Sequence, residues 1–147
     1  MTSTHPFFDV FTTEDSIDFT FSSTLENIDE VCEQITNYLR FRIEGIEKQL
    51  FPINLVMREG LTNAVRHGNA GDPEKKVRFM LTIVNNGLLK LMIEDQGNGF
   101  DWRKQQIEDL DEDEDHGRGI IIMETYFSRY SYNEKGNILY LEKDITP

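Results

Sequence analysis

The stretch VRFMLTIVNNGLLKLMIEDQGNG, residues 77–99, decides the fold class. Val77, Phe79, Leu81 and Ile83 recur at every second position, the period of a strand with one face in a core. Asn86 and Gly87 both tolerate positive φ and fit a tight hairpin turn. Leu89, Leu91 and Ile93 carry the same period back, so an antiparallel pair is expected. The return strand ends at Glu94 and Asp95, where Gly97 and Gly99 break the pattern. Chemistry is expected at that edge.

Outward from this hairpin the chain alternates between the two regular periods. On the N-terminal side, Ile17, Phe19 and Phe21 within Ser16 to Ser22 read as another half-buried strand. Ser23-Thr24-Leu25-Glu26 matches the Ser-x-x-Glu capping box and predicts a helix start. Leu25, Ile28, Cys32, Ile35 and Leu39 then form one apolar stripe, which must pack on something flat such as a sheet. Pro52 suits the first turn of a second helix, because its missing N–H is not needed there; that helix would run from Ile53 to His67, with Gly68 as its C-terminal cap. Asn69 to Glu74 reads as a loop.

On the C-terminal side, Asp101 to His116 has no regular period, and Glu108 to Asp115 is almost wholly acidic, so a solvated connection is expected. Ile120 to Phe127 is long enough for about two turns of helix. Tyr130, Tyr132, a turn over Glu134 to Asn137, and the alternation from Ile138 through Tyr140 to Ile145 predict a closing hairpin. Residues 1–14 are expected to be an extended arm, and the 147 residues to form a single domain of a sheet covered by helices.

Composition excludes several classes of function. The formal net charge is −12 and the basic residues are scattered, so a phosphate-backbone partner would be repelled over most of the surface. Cys32, the one cysteine, can form no internal disulfide, and its apolar neighbours point to a buried thiol. No run of about 18 apolar residues occurs, and no long apolar run follows a basic start. A soluble, cytoplasmic protein with no membrane or direct nucleic-acid partner is expected.

Three short constellations carry the chemistry. Glu59 and Asn63 lie four apart on the second helix and project from one face. An amide oxygen there can join a magnesium shell that also holds phosphate and water, and the carboxylate can take a proton from a hydroxyl. A solvated helical face explains that spacing equally well. Asp95-Gln96-Gly97-Asn98-Gly99 places a carboxylate where a strand leaves the sheet. It can accept from the exocyclic amine of adenine and would refuse the oxygen of guanine, while Gly97 and Gly99 let the backbone come close to a base. A glycine-rich turn is the plain alternative. Gly117-Arg118-Gly119 stands ahead of a helix, where free N–H groups and the positive end of the dipole favour phosphate oxygens, with Arg118 adding a charge-assisted bond. A solvated helix start is its alternative. His67 lies on the face of Asn63, near the helix end, and is read as stabilising that terminus.

The order Glu59-Gly-Leu-Thr-Asn63-Ala-Val-Arg-His67-Gly68, then Asp95-x-Gly97-x-Gly99, then Gly117-Arg118-Gly119, resembles the GHKL ATPase superfamily. Within it the short length is similar to the bacterial anti-sigma factor serine/threonine kinases, over nearly the whole chain. The resemblance implies a Bergerat ATP-binding fold, an α/β (α+β) two-layer sandwich with a mostly antiparallel mixed sheet and its helices on one face. It implies ATP and Mg as cofactors, with Glu59 as catalytic base, Asn63 as magnesium ligand, Asp95 as adenine contact and Gly117 to Gly119 as phosphate loop. It further implies a kinase that phosphorylates an anti-anti-sigma protein, holds a sigma factor inactive by partner switching, and often forms a homodimer. One departure from the family is the acidic stretch Glu108 to Asp115 in the expected ATP lid. Its charges would cost nucleotide affinity unless magnesium, Arg103, Lys104 or Arg118 offset them. A binding module that uses ATP only to shape a surface for a regulatory protein is the competing reading. A sensor histidine kinase fragment fits less well, since no helical segment with a phosphoacceptor histidine precedes the ATP region.

Overall fold

Phe19, Phe21, Phe79, Leu81, Leu89 and Leu91 are almost wholly withdrawn from solvent, and the elements that carry them set the architecture. The structure is a computed structural model, which describes residues 7–85, 87–99 and 121–146. Its strands are β1 (Phe8–Thr12), β2 (Ser16–Ser22), β3 (Lys76–Val84), β4 (Leu88–Glu94), β5 (Arg129–Tyr132) and β6 (Ile138–Asp144). They form one sheet in the order β1-β2-β3-β4-β6-β5. Every pairing among the described strands is antiparallel, so the mostly antiparallel sheet expected from sequence is antiparallel throughout its described part. Helices α1 (Leu25–Arg42) and α2 (Glu47–Asn63) pack on one face, giving the expected two layers.

Register decides which residues meet the helices. Directly opposed residues share a face in an antiparallel sheet, so Phe19, Phe79, Ile93, Leu139 and Tyr132 form one row across five strands. The Phe19 and Phe79 rings stack with centroids 6.1 Å apart. The predicted extended arm includes β1, which pairs along β2 from Phe8↔Phe21 to Thr12↔Ile17 as an edge strand. Of the predicted α1 stripe, Ile28, Cys32, Ile35 and Leu39 are buried, whereas Leu25 is 54% exposed. The Cys32 thiol is held above its ordinary pKa chiefly by burial, as expected for a packing residue rather than a nucleophile.

Two predicted helix signals are corrected. The α1 N-cap is Thr24, whose hydroxyl accepts from Asn27 N–H at 3.2 Å. Ser23 is drawn away by tertiary bonds, its Oγ donating to the Lys75 carbonyl at 2.8 Å. Helix α2 begins at Glu47, so Pro52 lies inside it rather than in its first turn. The helix then widens into a π-helical turn, Ala64–Gly68, capped by Asn69. Gly68 is therefore the last residue of that turn and not its cap. In the β3–β4 connection Asn86 lies outside the described residues; Asn85 has φ 52°, and Gly87 N–H donates to the Val84 carbonyl at 3.1 Å.

A helical segment over residues 121–126, here α3, precedes β5. Its end is fixed by Lys143, whose Nζ donates to the Tyr126 carbonyl at 2.7 Å from a largely buried position on β6. A cation there suits the negative end of a helix, although burial lowers the ammonium pKa. Among the described residues no helix is long and apolar enough to cross a membrane.

Candidate functional site

Where α2 passes over the β4–β6–β5 end of the sheet, a cavity of about 630 Å³, counting the part open to solvent, separates the two layers. Its floor is the end of the central row: Ile93, Leu139 and Tyr132. Its roof is Gly60, Asn63 and Ala64 of α2 and the π-helical turn, continued by His67 and Gly68. Asp95, Gly99, Gly136 and Asn137 close one side. Gly60 lets the helix come this close, since a Cβ there would stand 2.7 Å from Ile93 Cδ1 and 3.3 Å from Leu139 Cδ2.

Asp95 is held in place from three directions. Its backbone N–H donates to the Asn137 carbonyl at 2.9 Å, and its own carbonyl accepts from Asn137 Nδ2 at 3.2 Å. Its carboxylate Oδ1 takes the Gly97 N–H at 2.8 Å. The Gly68 and Gly97 backbones press on this carboxylate: a Cβ on Gly68 would collide with it, and a Cβ on Gly97 would collide with the Gly68 carbonyl oxygen. A Cβ on Gly99 would strike the Lys135 carbonyl, so the end of the motif is packed against the β5–β6 turn.

Burial is the first cause of a raised Asp95 pKa, with Glu94 adding to it and the Gly97 N–H, Lys135 and Lys75 opposing it. The folded pKa thus lies above the unfolded one. This carboxyl stabilises the fold most at acid pH, and its contribution falls as pH rises through the folded value. At neutral pH the ionised group works against folding. Asp95→Asn keeps an acceptor for Gly97 and is expected to raise nucleotide-free stability at pH 7 slightly, by no more than about 0.5 kcal/mol because solvent screens this half-exposed group. Thermal denaturation checks this: the variant should melt higher at pH 7, and the gap should shrink toward pH 4. An equal or lower melting temperature at pH 7 would contradict it.

The structure brings Asn63, Asp95 and Gly99 of the predicted set to one cavity. Gly97 backs the cavity from behind Asp95. Glu59 stands one turn before Asn63, half-buried, and does not line the cavity. Its charge is felt within the site, because Tyr132 titrates far above its usual range through burial first and then the negative charges of Tyr130, Asp95 and Glu59. Gly117, Arg118, Gly119 and the acidic stretch Glu108 to Asp115 lie outside the described residues.

Sequence reasoning passed over Tyr132, Asn137 and the second role of Gly68. Tyr132 and Asn137 read only as hairpin residues, because nothing local reports that β5 lies beyond β6 and delivers them to the edge where Asp95 sits. His67, read as a helix-end residue, lines the cavity.

Residues 21–143 match the family profile of the histidine kinase-like ATPase domain. Among curated proteins, the chain is 32% identical over 105 residues to an anti-sigma F factor of Priestia megaterium, covering 67% of this chain and 71% of that protein. It is 32% identical, over the same shares of each, to an anti-sigma F factor of Geobacillus sp. (strain WCH70). An anti-sigma F factor of Heyndrickxia coagulans is 27% identical over 123 residues, which cover 74% of this chain and 84% of the relative.

Proposed function

The chain belongs to the histidine kinase-like ATPase domain family, and from that premise we propose that it is an ATP-dependent protein serine/threonine kinase acting on an anti-anti-sigma protein and controlling a sigma factor by partner switching. The observation that carries the reading is the placing of the Asp95 carboxylate at the end of an apolar slot roofed by Asn63. The fit to ATP rests on that slot. Ile93 and Leu139 offer an apolar floor to a base, and the half-buried Asp95 carboxylate offers an acceptor to an exocyclic amine. Gly68 and Gly97 let the two backbones close on the Asp95 carboxylate, where side chains would collide.

Each residue then has one task. Asp95 accepts from the adenine amine and rejects guanine, whose oxygen at that position would face a carboxylate. Asn63 gives its amide oxygen to a magnesium shell. Glu59 receives the proton of the substrate hydroxyl. Gly117, Arg118 and Gly119 are assigned to the phosphate oxygens, through backbone N–H groups and the Arg118 guanidinium. ATP supplies the phosphoryl group, and Mg²⁺ offsets the charge on its oxygens. The protein works in the cytoplasm and as a homodimer.

Glu59→Ala is expected to lower phosphate transfer to a cognate anti-anti-sigma protein by roughly 10²–10⁴-fold, with ATP affinity kept within about twofold because Glu59 does not line the cavity. Radiolabelled Mg-ATP with purified partner measures this. Wild-type protein that transfers no phosphate to any cognate partner would end the kinase reading.

The acidic stretch Glu108 to Asp115 favours a second reading, an ATP-binding module that sequesters a regulatory protein without catalysis. Under it, Glu59→Ala leaves partner regulation intact; under the kinase reading, release of the sigma factor is lost.

A further inference from the structure

Asn69 is a fully buried polar residue (0% exposed) at the junction of four segments, and the chemistry described so far does not use it. Its Nδ2 donates to Ser23 Oγ at 2.7 Å, ahead of α1, and to the Lys76 carbonyl at 2.9 Å, at the start of β3. Its Oδ1 accepts the Gln96 N–H at 2.7 Å, one residue beyond Asp95. Its backbone N–H closes the π-helical turn on the Ala64 carbonyl at 2.8 Å. The three partners fix the orientation of the amide, because a flip would set two N–H donors against each other at Gln96 and two acceptors at Lys76.

We propose that Asn69 is a positioning residue for base selectivity: it ties the end of α2 to the Asp95–Gly97 loop and so sets where the Asp95 carboxylate stands. The proposal rests on the reading of Asp95 as the adenine contact. The physical reason is one of tolerance. Asp95 reaches into the cavity from a loop whose Gly97 abuts the carbonyl of Gly68, the residue just before Asn69. Gly68 and Gln96 are thus both fixed by the same asparagine, one through the chain and one through its side-chain oxygen. A second, exposed tie runs alongside, the Lys76 N–H donating to Gln96 Oε1 at 2.7 Å. Without the Asn69 amide, the Gln96 N–H and the Lys76 carbonyl lose buried partners and turn toward water, and the loop moves with them. A displacement well under an ångström is enough to misplace a hydrogen bond to a base.

Asn69 differs from a general structural residue in what its loss should do. It should weaken recognition of the adenine amine selectively, leaving contacts to phosphate at the other end of the ligand. Competition between ATP and ITP, which differ only along the N1–C6 edge of the purine, an amine with a bare N1 against an oxygen with an N1–H, reads that contact. Wild type is expected to prefer ATP at least roughly tenfold. Asn69→Ala should cut ATP affinity by about 10–30-fold while ITP affinity changes less than about threefold, so that the preference collapses. Ser23→Ala, which leaves the Lys76 carbonyl as a partner for Nδ2 and does not touch Gln96, should keep the preference within about twofold. Should Asn69→Ala not fold, Asn69→Ser and Gln96→Ala, which cut the two ties to the loop one at a time, should each lower the ATP:ITP ratio. A ratio unchanged in the folded variants, with only the melting temperature lowered, would overturn the proposal. A wild type that does not distinguish ATP from ITP would instead overturn the reading of Asp95, and the proposal with it.

Discussion

Gly97→Ala is expected to abolish measurable ATP binding and to lower the stability of the nucleotide-free protein by roughly 2–3 kcal/mol, about 5–10 °C in Tm. The added Cβ would collide with the carbonyl oxygen of Gly68 and also sit 3.0 Å from Asp95 Oδ1. The first obstacle is backbone, so no rotamer change relieves it. Either the Asp95–Gly97 loop or the π-helical turn must move, and each forms a wall of the cavity. Gly68→Ala should act in the same direction, since its Cβ would enter the Asp95 carboxylate directly. Thermal denaturation and nucleotide titration of Gly97→Ala together check this; a variant that binds ATP as wild type does would show that the two backbones are not packed as described.

The second large effect is expected at Asp95 itself. Asp95→Ala removes the acceptor for the adenine amine and should weaken ATP by roughly 30–150-fold, the range of a hydrogen bond to a charged group at 2–3 kcal/mol. It should also remove the repulsion that refuses guanine, so that GTP is bound no worse, and up to about tenfold better, while ATP is lost. The same change also strips the Gly97 N–H of its acceptor, so the cleaner variant is Asp95→Asn, which keeps that acceptor and in which ATP binding and nucleotide-free stability should move in opposite directions. A residue kept only for folding would lower both. Equal loss of ATP and GTP would show that Asp95 acts on the shape of the slot and not on the base.

The sheet was legible because its signal is local. Phe19, Phe79 and Ile93 each sit in a run of period two, and one-residue register errors would have exposed all of them. The helix boundaries were less legible where two residues compete for one role. Ser23 and Thr24 are adjacent hydroxyls, and only the distant Lys75 carbonyl and Asn69 amide decide that Ser23 is taken and Thr24 caps. Pro52 fits a first turn by its missing donor, yet Glu47 to Phe51 continue the helix ahead of it, and no local signal forbids this. At the site, the Asn63 and Asp95 positions could be read from spacing and from the end of a strand. Tyr132 and Asn137 could not, because their place in the cavity depends on the strand order β4-β6-β5, which no short window contains. Gly68 was seen as a helix terminator, whereas its neighbour across the fold, Asp95, is what forbids a side chain there.

Calorimetric titration with a non-hydrolysable ATP analogue and Mg²⁺ tests the central claim most directly, comparing wild type with Asn63→Ala and Asp95→Ala. Saturable binding to wild type, one nucleotide per chain and weakened in both variants, is the predicted result. Absence of binding to wild type, or binding that neither substitution weakens, would contradict the assignment of the cleft between α2 and β4 as the ATP site.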